Sequence, residues 1–175
     1  MSMATNRSIM IRSVSVAAAA MLSATGLLAT SGTAHAGSTT SDTLTNGGAL
    51  TPGAHLDNGD AHLVMQRDGD LALYASGADG SGGQLRWHSG TTGEGNRAEL
   101  RADGNLVVTA PDGAELWQSR TGSADCSHMP WTKLTVRSHG DMSILAGQDS
   151  EAPYFIPLWS ASFGLQPSCG ARSAR

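Results

Sequence analysis

Three segments of the 175-residue chain share one pattern, and this repetition constrains the fold more than any other feature. Each segment has a short alternating apolar run, a turn containing Asp-Gly-Asp, Asp-Gly-Asn or His-Gly-Asp, and a second run. Their central glycines are Gly69, Gly104 and Gly140, spaced 35 and 36 residues apart. The local pattern is typical of a β-hairpin, and its regular recurrence predicts a repeat architecture.

The parity of the apolar residues predicts the register of each hairpin. A three-residue loop at 68–70 places Leu63 and Met65 on one face with Leu71 and Leu73, whereas a two-residue loop divides this set between both faces. The same register groups Ala98, Leu100, Leu106 and Val108, and then Leu134, Val136, Met142 and Ile144. Three-residue loops often end in a left-handed residue, a conformation that Asp and Asn tolerate. We therefore assign it to Asp70, Asn105 and Asp141.

A tryptophan follows each hairpin, at Trp87, Trp117 and Trp159. Aromatic residues make up only 5% of the chain, so we expect these rings in a shared core; a ring of tryptophans that stacks on sugars is the alternative. With 22 glycines and 15% charged residues, long helices are disfavoured. Three such repeats predict an all-β prism with pseudo-threefold symmetry, whose first sheet begins in the segment Asp42–Gly59.

The N-terminal 36 residues have the order of a secretory signal peptide. Arg7 and Arg12 precede a mostly apolar run over 14–29, and Ala34-His35-Ala36 is a small-x-small cleavage pattern. A membrane anchor is the alternative, but the run is short and rich in alanine. We therefore expect a secreted, extracellular protein with no membrane span after cleavage. The predicted organisation is a signal peptide at 1–36, a linker at 37–41, a domain at 42–162 and a C-terminal tail at 163–175.

The chain has two cysteines, Cys126 and Cys169, and an exported protein meets an oxidising compartment. We therefore predict a disulfide between them, worth about 4 kcal/mol by the entropy of loop closure. The net charge of −4 gives no reason to expect nucleic acid as a partner. No zinc, calcium, nucleotide or common hydrolase motif is present, so we predict neither a metal nor a cofactor.

The first hairpin resembles a known family. Its pattern Gln66-x-Asp68-x-Asp70-x-Ala72-x-Tyr74 is similar to the QxDxNxVxY signature of bulb-type, monocot mannose-binding lectins. The resemblance extends over about 42–161. It implies a type II β-prism of three four-stranded antiparallel sheets, with one mannose site on each sheet and mannose-containing glycans as partners. It also implies a homodimer as one assembly, because family members often exchange a C-terminal strand.

The first site is the best match to the signature. The resemblance assigns Gln66, Asp68 and Tyr74 to sugar hydroxyls, which amide, carboxylate and phenol groups can bind. Asp70 stands where the signature has Asn, so an N–H donor is lost and two acids share the site. Ala72 stands for Val and reduces the apolar contact. In the predicted register Gln66, Ala72 and Tyr74 face outward, opposite Leu71 and Leu73.

The other two sites depart further from the signature. In the second, Asp103, Asn105 and Val107 match, whereas Arg101 stands for Gln and Thr109 for Tyr, so we assign it as a weaker site. The third site is predicted to be lost, since none of its five positions matches: Arg137, His139, Asp141, Ser143 and Leu145. Asp-Gly-Asp and Asp-Gly-Asn can also serve as turns alone, but turn formation does not require Gln66 or Tyr74.

Three functions are weighed. A secreted carbohydrate-binding lectin for mannose-type glycans ranks first. A prism whose sugar sites have decayed, used for protein or cell-surface contact as in lectin-like bacteriocins, is the alternative, favoured by the degenerate second and third sites. An enzyme ranks last, because three hairpin repeats leave little chain for an added active site.

Overall fold

The computed structural model describes residues 41–77, 83–123 and 129–166. Apart from one short 3-10 helix at Thr121–Ser123, the regular elements in these ranges are β-strands. The strands are β1 (Thr43–Thr45), β2 (Ala49–Leu50), β3 (His55–Asn58), β4 (Ala61–Met65), β5 (Leu71–Ala75), β6 (Gln84–His88), β7 (Arg97–Leu100), β8 (Leu106–Thr109), β9 (Glu115–Gln118), β10 (Trp131–Arg137), β11 (Asp141–Gly147), β12 (Ile156–Ser160) and β13 (Gly164–Leu165). Within these ranges no helix is long and apolar enough to cross a membrane.

The strands form three antiparallel sheets, one for each repeat. Their orders are β3-β4-β5-β6, β2-β7-β8-β9 and β1-β10-β11-β12-β13. The predicted three-sheet, all-β fold is confirmed, and the third sheet gains a fifth strand. We expected the upstream segment to begin the first sheet only. It contributes to all three sheets, because β1, β2 and β3 each join a different sheet. Closely spaced strands from one segment thereby tie the three sheets together.

The hairpin registers agree with the predicted parity. Leu63 faces Leu73 and Met65 faces Leu71 across the first hairpin, and all four are fully buried. The turn differs by one residue, because Gln66 N–H donates to Asp70 O at 2.8 Å and leaves 67–69 as the loop. The left-handed residue is therefore the glycine, not the following Asp or Asn. Its φ is +96° at Gly69, +82° at Gly104 and +84° at Gly140.

The tryptophans meet at the centre, where one ring from each sheet contributes. The ring centroids of Trp87, Trp117 and Trp159 lie 5.1 to 5.9 Å apart, with interplanar angles of 71° to 80°. Such edge-to-face contacts are the favoured geometry of aromatic pairs. A register shift recurs at the same place in each repeat, at Leu73/Tyr74, Val108/Thr109 and Ile144/Leu145. The shared-core interpretation of the tryptophans is confirmed.

The end of the described chain contributes to the third sheet. Gly164–Leu165, inside the segment assigned as a tail, forms β13 and pairs with Trp159 and Ser160 of β12. Cys126 and Cys169, the predicted disulfide, lie outside the described residues, as does the predicted signal peptide.

Candidate functional site

The first sheet presents Gln66 and Tyr74 together on its outer face. Gln66 Nε2 donates a hydrogen bond of 2.9 Å to the Tyr74 hydroxyl, and both side chains are half-buried. Val64 and Ala72 are cross-strand partners in the row between these two residues. Ala72 has the outward orientation that the register predicts, yet it is only 1% exposed. It therefore forms a closed floor beneath the glutamine–tyrosine bond.

Asp68 occupies the exposed tip of the same hairpin. Its Oδ1 accepts a long hydrogen bond of 3.3 Å from Asp70 N–H. The carboxylate has no other protein partner in the described part of the chain. The site thus combines an available carboxylate, a tyrosine hydroxyl whose proton is not used by Gln66, and an amide with unused donor and acceptor capacity.

Asp70 is engaged differently from Asp68. Its Oδ1 accepts from Ser89 Oγ at 2.8 Å, Gly90 N at 2.9 Å and Thr91 N at 3.3 Å, and its Oδ2 accepts from His88 Nδ1 at 2.8 Å. Burial by itself would raise the pKa of Asp70, but the hydrogen bonds from His88 and Ser89 and the nearby His88 charge lower it below its ordinary value. These contacts therefore stabilise the ionised form of the Asp70 carboxylate.

We call this arrangement the latch. In it, the side chain that follows the turn glycine accepts hydrogen bonds from the residues that follow the tryptophan. In the first repeat, Leu71 N donates to Ser89 Oγ, and Thr91 Oγ1 donates to Gly69 O at 2.7 Å. The hydroxyls of Ser89 and Thr91 lie 2.8 Å apart. The latch joins β5, the turn and the end of β6, and it satisfies polar groups that would otherwise be buried without partners.

The second repeat builds the same latch around Asn105. Asn105 Oδ1 accepts from Ser119 Oγ at 3.0 Å, and its Nδ2 donates to Gln118 Oε1 at 2.9 Å. Thr121 Oγ1 donates to Gly104 O at 2.6 Å. The shared sequence signal is Trp-x-Ser-x-Thr, found at 87–91 and 117–121. Sequence reasoning missed this pattern, although it was visible beside the tryptophans.

The third repeat keeps only part of the latch. Ala161 stands where the other repeats have serine, and the remaining contact is Ser162 N donating to Asp141 Oδ1 at 3.2 Å. The five positions that correspond to the signature lie along β10, the turn and β11, and none carries a matching residue: Arg137, His139, Asp141, Ser143 and Leu145. Ser143 is buried, and Arg137 and His139 are exposed. The third sheet therefore does not bring together a glutamine, a turn carboxylate and a tyrosine, as the first site does with Gln66, Asp68 and Tyr74.

The second site is bridged by an ion pair. Arg101 Nη1 donates to Glu115 Oε1 at 2.5 Å, from the end of β7 to β9, and this bond raises the pKa of Arg101. Val107 lies on the strand between them and is fully buried. Asp103 Oδ1 accepts from Asn105 N at 2.9 Å, which repeats the Asp68 geometry. Arg101 and Glu115 therefore cover the floor that Gln66 and Tyr74 cover in the first site.

Thr109, which replaces the tyrosine of the signature, lies beside a shallow pocket whose rim includes Arg97 and Arg101. Its Oγ1 is buried and has no hydrogen-bond partner among the described residues. The second site therefore keeps the turn acid but lacks an exposed hydroxyl at this position.

A histidine pair flanks the first site on its outer face. Both His55 and His62 contact the carboxylate of Asp57, with His55 Nε2 at 3.3 Å, and their ring centroids are 5.0 Å apart. Across the described ranges no three His, Cys, Asp or Glu side chains are arranged to hold a metal ion.

A three-sheet prism with an amide, a phenol and a carboxylate gathered on one outer face has the architecture of a sugar-binding protein. The chain is 35% identical over 112 residues to the mannose-specific lectin of Aloe arborescens, and this alignment covers 63% of the chain and 86% of the relative. The chain therefore belongs to the monocot mannose-specific, or bulb-type, lectin family, and the resemblance seen in the sequence is confirmed. Lectins bind carbohydrates without transforming them, so this family is one of binding proteins and not of enzymes.

Other comparisons agree with this assignment. The mannose-specific lectin TAR1 of Colocasia esculenta is 37% identical over 82 residues, which cover 46% of this chain and 32% of the relative. The chain thus spans about a third of the length of the Colocasia relatives it matches. The snowdrop (Galanthus nivalis) agglutinin complexed with methyl-α-D-mannoside superposes with a TM-score of 0.51 at 27% identity, covering 64% of this chain and 94% of the agglutinin. No family model matches the chain.

Proposed function

We propose that the protein binds mannose or mannose-containing glycans through the first site. The observation that carries this proposal is the hydrogen-bonded pair of Gln66 and Tyr74 beside the available carboxylate of Asp68. Sugar hydroxyls donate and accept at once, and this site offers both functions within one small area. The names of the relatives and the mannoside in the snowdrop complex support mannose as the sugar.

The three site residues have separate roles in this proposal. The Asp68 carboxylate accepts from one or two sugar hydroxyls, and the Tyr74 hydroxyl donates to another while it accepts from Gln66. The Gln66 carbonyl and its second amide hydrogen serve a neighbouring hydroxyl. Ala72 contributes a closed floor, and Asp70 holds the latch that positions the turn. Among the described residues one mannose site follows, because the Arg101–Glu115 bridge covers the equivalent area of the second sheet and the third sheet lacks the signature.

Calorimetric titration with methyl-α-D-mannoside tests this assignment. Asp68→Ala and Tyr74→Phe should each weaken binding by about tenfold, since each removes a hydrogen bond to a sugar hydroxyl. Asp103→Ala, the equivalent change in the second repeat, is the matched control and should leave the affinity unchanged. A parent protein that binds no mannoside, or equal affinities for the parent and both first-site variants, would refute the site.

The proposal includes export, which rests on the charged, apolar and cleavage-site order of residues 1–36. Protein collected from the culture medium should begin at Gly37. An intact Met1 on the exported protein would contradict it.

A homodimer is proposed on family membership, and light scattering coupled to size exclusion measures the mass directly. A monomer at the concentrations used for binding would exclude the homodimer.

A contact scaffold is the second candidate function. It is favoured by the ion pair that covers the second site and by the absence of the signature from the third. Binding to a cell surface that persists in excess mannose and survives the Asp68→Ala change would support this alternative over the lectin.

A further inference from the structure

An aromatic cluster lies on the outer face of the third sheet, which has lost the sugar signature. The chain has eight aromatic residues besides histidine, and three of them fill the central tryptophan core. Trp131 and Phe155 form a second cluster here, with centroids 5.8 Å apart and an interplanar angle of 51°. Tyr154, next to Phe155 in sequence, is 59% exposed. We call Trp131, Lys133, Tyr154 and Phe155 the aromatic patch.

The aromatic patch packs directly on the backbone of β11 at Gly147. Trp131 and Gly147 are cross-strand partners on β10 and β11. A Cβ added at Gly147 would lie 2.7 and 2.8 Å from two ring atoms of Phe155, so only glycine lets the ring rest on this strand. Gly147 therefore leaves room for the ring of Phe155, and Trp131 is half-buried beside it.

Lys133 adds a positive charge to these rings. Its Nζ lies 3.9 Å from the centroid of Phe155 and 5.7 Å from that of Trp131, which is cation–π geometry. Among the residues that the structure describes, no carboxylate lies within ion-pair distance of this ammonium group. Arg97 and Arg101 on the second sheet are, by contrast, each paired with a glutamate.

We propose that the aromatic patch binds a saccharide that carries a carboxylate, such as a uronic acid. A sugar ring has an apolar C–H face, which packs on the exposed part of Trp131 as other flat apolar groups pack on aromatic rings. The carboxylate of the sugar then pairs with Lys133, whose charge has no acidic partner among the described side chains. Thr45, the cross-strand partner of Lys133, and Thr135 two residues along β10 supply hydroxyls for the sugar's own hydroxyl groups.

The composition of the patch favours this ligand over a larger partner. Among the described residues Lys133 is the cation that contacts these rings, and one cation beside two rings suits one acidic sugar residue better than a protein partner that buries about 800 Å² on each side. The site lies on a different sheet from Gln66 and Tyr74, so it does not depend on the proposed mannose site.

A matched pair of ligands tests the proposal. Methyl β-D-glucuronide and methyl β-D-glucoside differ only at C6, where one has a carboxylate and the other a hydroxymethyl group. Saturation-transfer NMR titration of the parent protein should give a dissociation constant at least about tenfold lower for the glucuronide, since its pair with Lys133 is charge-assisted. The preference should decrease as salt is added.

Three variants identify the residues involved. Lys133→Met keeps a long apolar chain over Phe155 and should abolish the preference for the glucuronide, and Trp131→Ala should abolish binding of both ligands. Asp68→Ala, which tests the mannose site, should leave glucuronide binding unchanged, so the two sites can fail independently. Equal affinities for the two ligands in the parent, no binding of either, or an unchanged preference in Lys133→Met would overturn the proposal. Thermal unfolding of each variant shows whether it remains folded.

Discussion

Replacing Asp70 by alanine removes the centre of the first latch, and its cost follows from the contacts of the carboxylate. The side chain accepts four hydrogen bonds of 2.8 to 3.3 Å and is 17% exposed. A hydrogen bond to a charged group contributes about 1.5–3 kcal/mol, but contacts to one carboxylate are not additive, and water can replace part of them. We therefore expect a loss of about 3 kcal/mol in the free energy of unfolding. In a domain of this size it lowers Tm by about 10 °C.

Urea unfolding followed by tryptophan fluorescence measures this loss, with Asp68→Ala as the matched control. Asp68 is the other acid of the same turn, but it is exposed and accepts only one long hydrogen bond of 3.3 Å. Its replacement should change the free energy of unfolding by less than about 0.5 kcal/mol. A similar loss in both variants, or a loss below about 1 kcal/mol for Asp70→Ala, would show that the latch does not stabilise the fold.

Three further outcomes are expected. The pKa of Asp70 is lowered in the folded state, so its carboxylate stabilises the fold above about pH 4 and loses this effect as pH falls; parent and Asp70→Asn should differ in stability at pH 7 and converge near pH 2. Gly69→Ala should lower the free energy of unfolding by about 3 kcal/mol or more in chemical denaturation, because its Cβ would lie 2.2 Å from Gly93 O. Gly53 has a similar φ of +87° but open space around its Cβ, so Gly53→Ala should cost about 1 kcal/mol. Equal losses in the two variants would contradict this explanation. Ala161→Ser should raise Tm by about 2–4 °C if the serine restores the missing latch contacts, and an unchanged Tm would show that the third repeat cannot form them.

The sequence predicted the fold well because the hairpin register depends on parity. Apolar side chains alternate in each run, and only an odd-length turn brings the two apolar sets onto one face. Met65 and Leu71 face each other as that argument requires. The turn itself was misplaced by one residue, because a loop at 67–69 and a loop at 68–70 have the same parity. The alternation could not distinguish them, although a glycine is the better left-handed residue.

The site was harder to predict, because its decisive contacts join residues that are distant in sequence. The resemblance identified Gln66, Asp68 and Tyr74, but it could not show that Asp70 is held by residues 88–91. The bridge between Arg101 and Glu115 depends on a side chain that crosses a whole strand, which no local pattern specifies. The aromatic patch likewise depends on Gly147, whose missing Cβ makes room for a ring eight residues later.

These differences have a common physical origin in the two faces of each sheet. The inner face carries the buried apolar residues and the tryptophans, so its substitutions create cavities and are costly. The outer face carries residues that contact neighbours and solvent, so it can differ from sheet to sheet at little cost in stability. The three sheets accordingly present an amide–phenol pair with a carboxylate, an exposed ion pair over a buried floor, and an aromatic–cationic patch. A single prism can therefore hold three chemically different surfaces, provided that each keeps its turn glycine and its tryptophan.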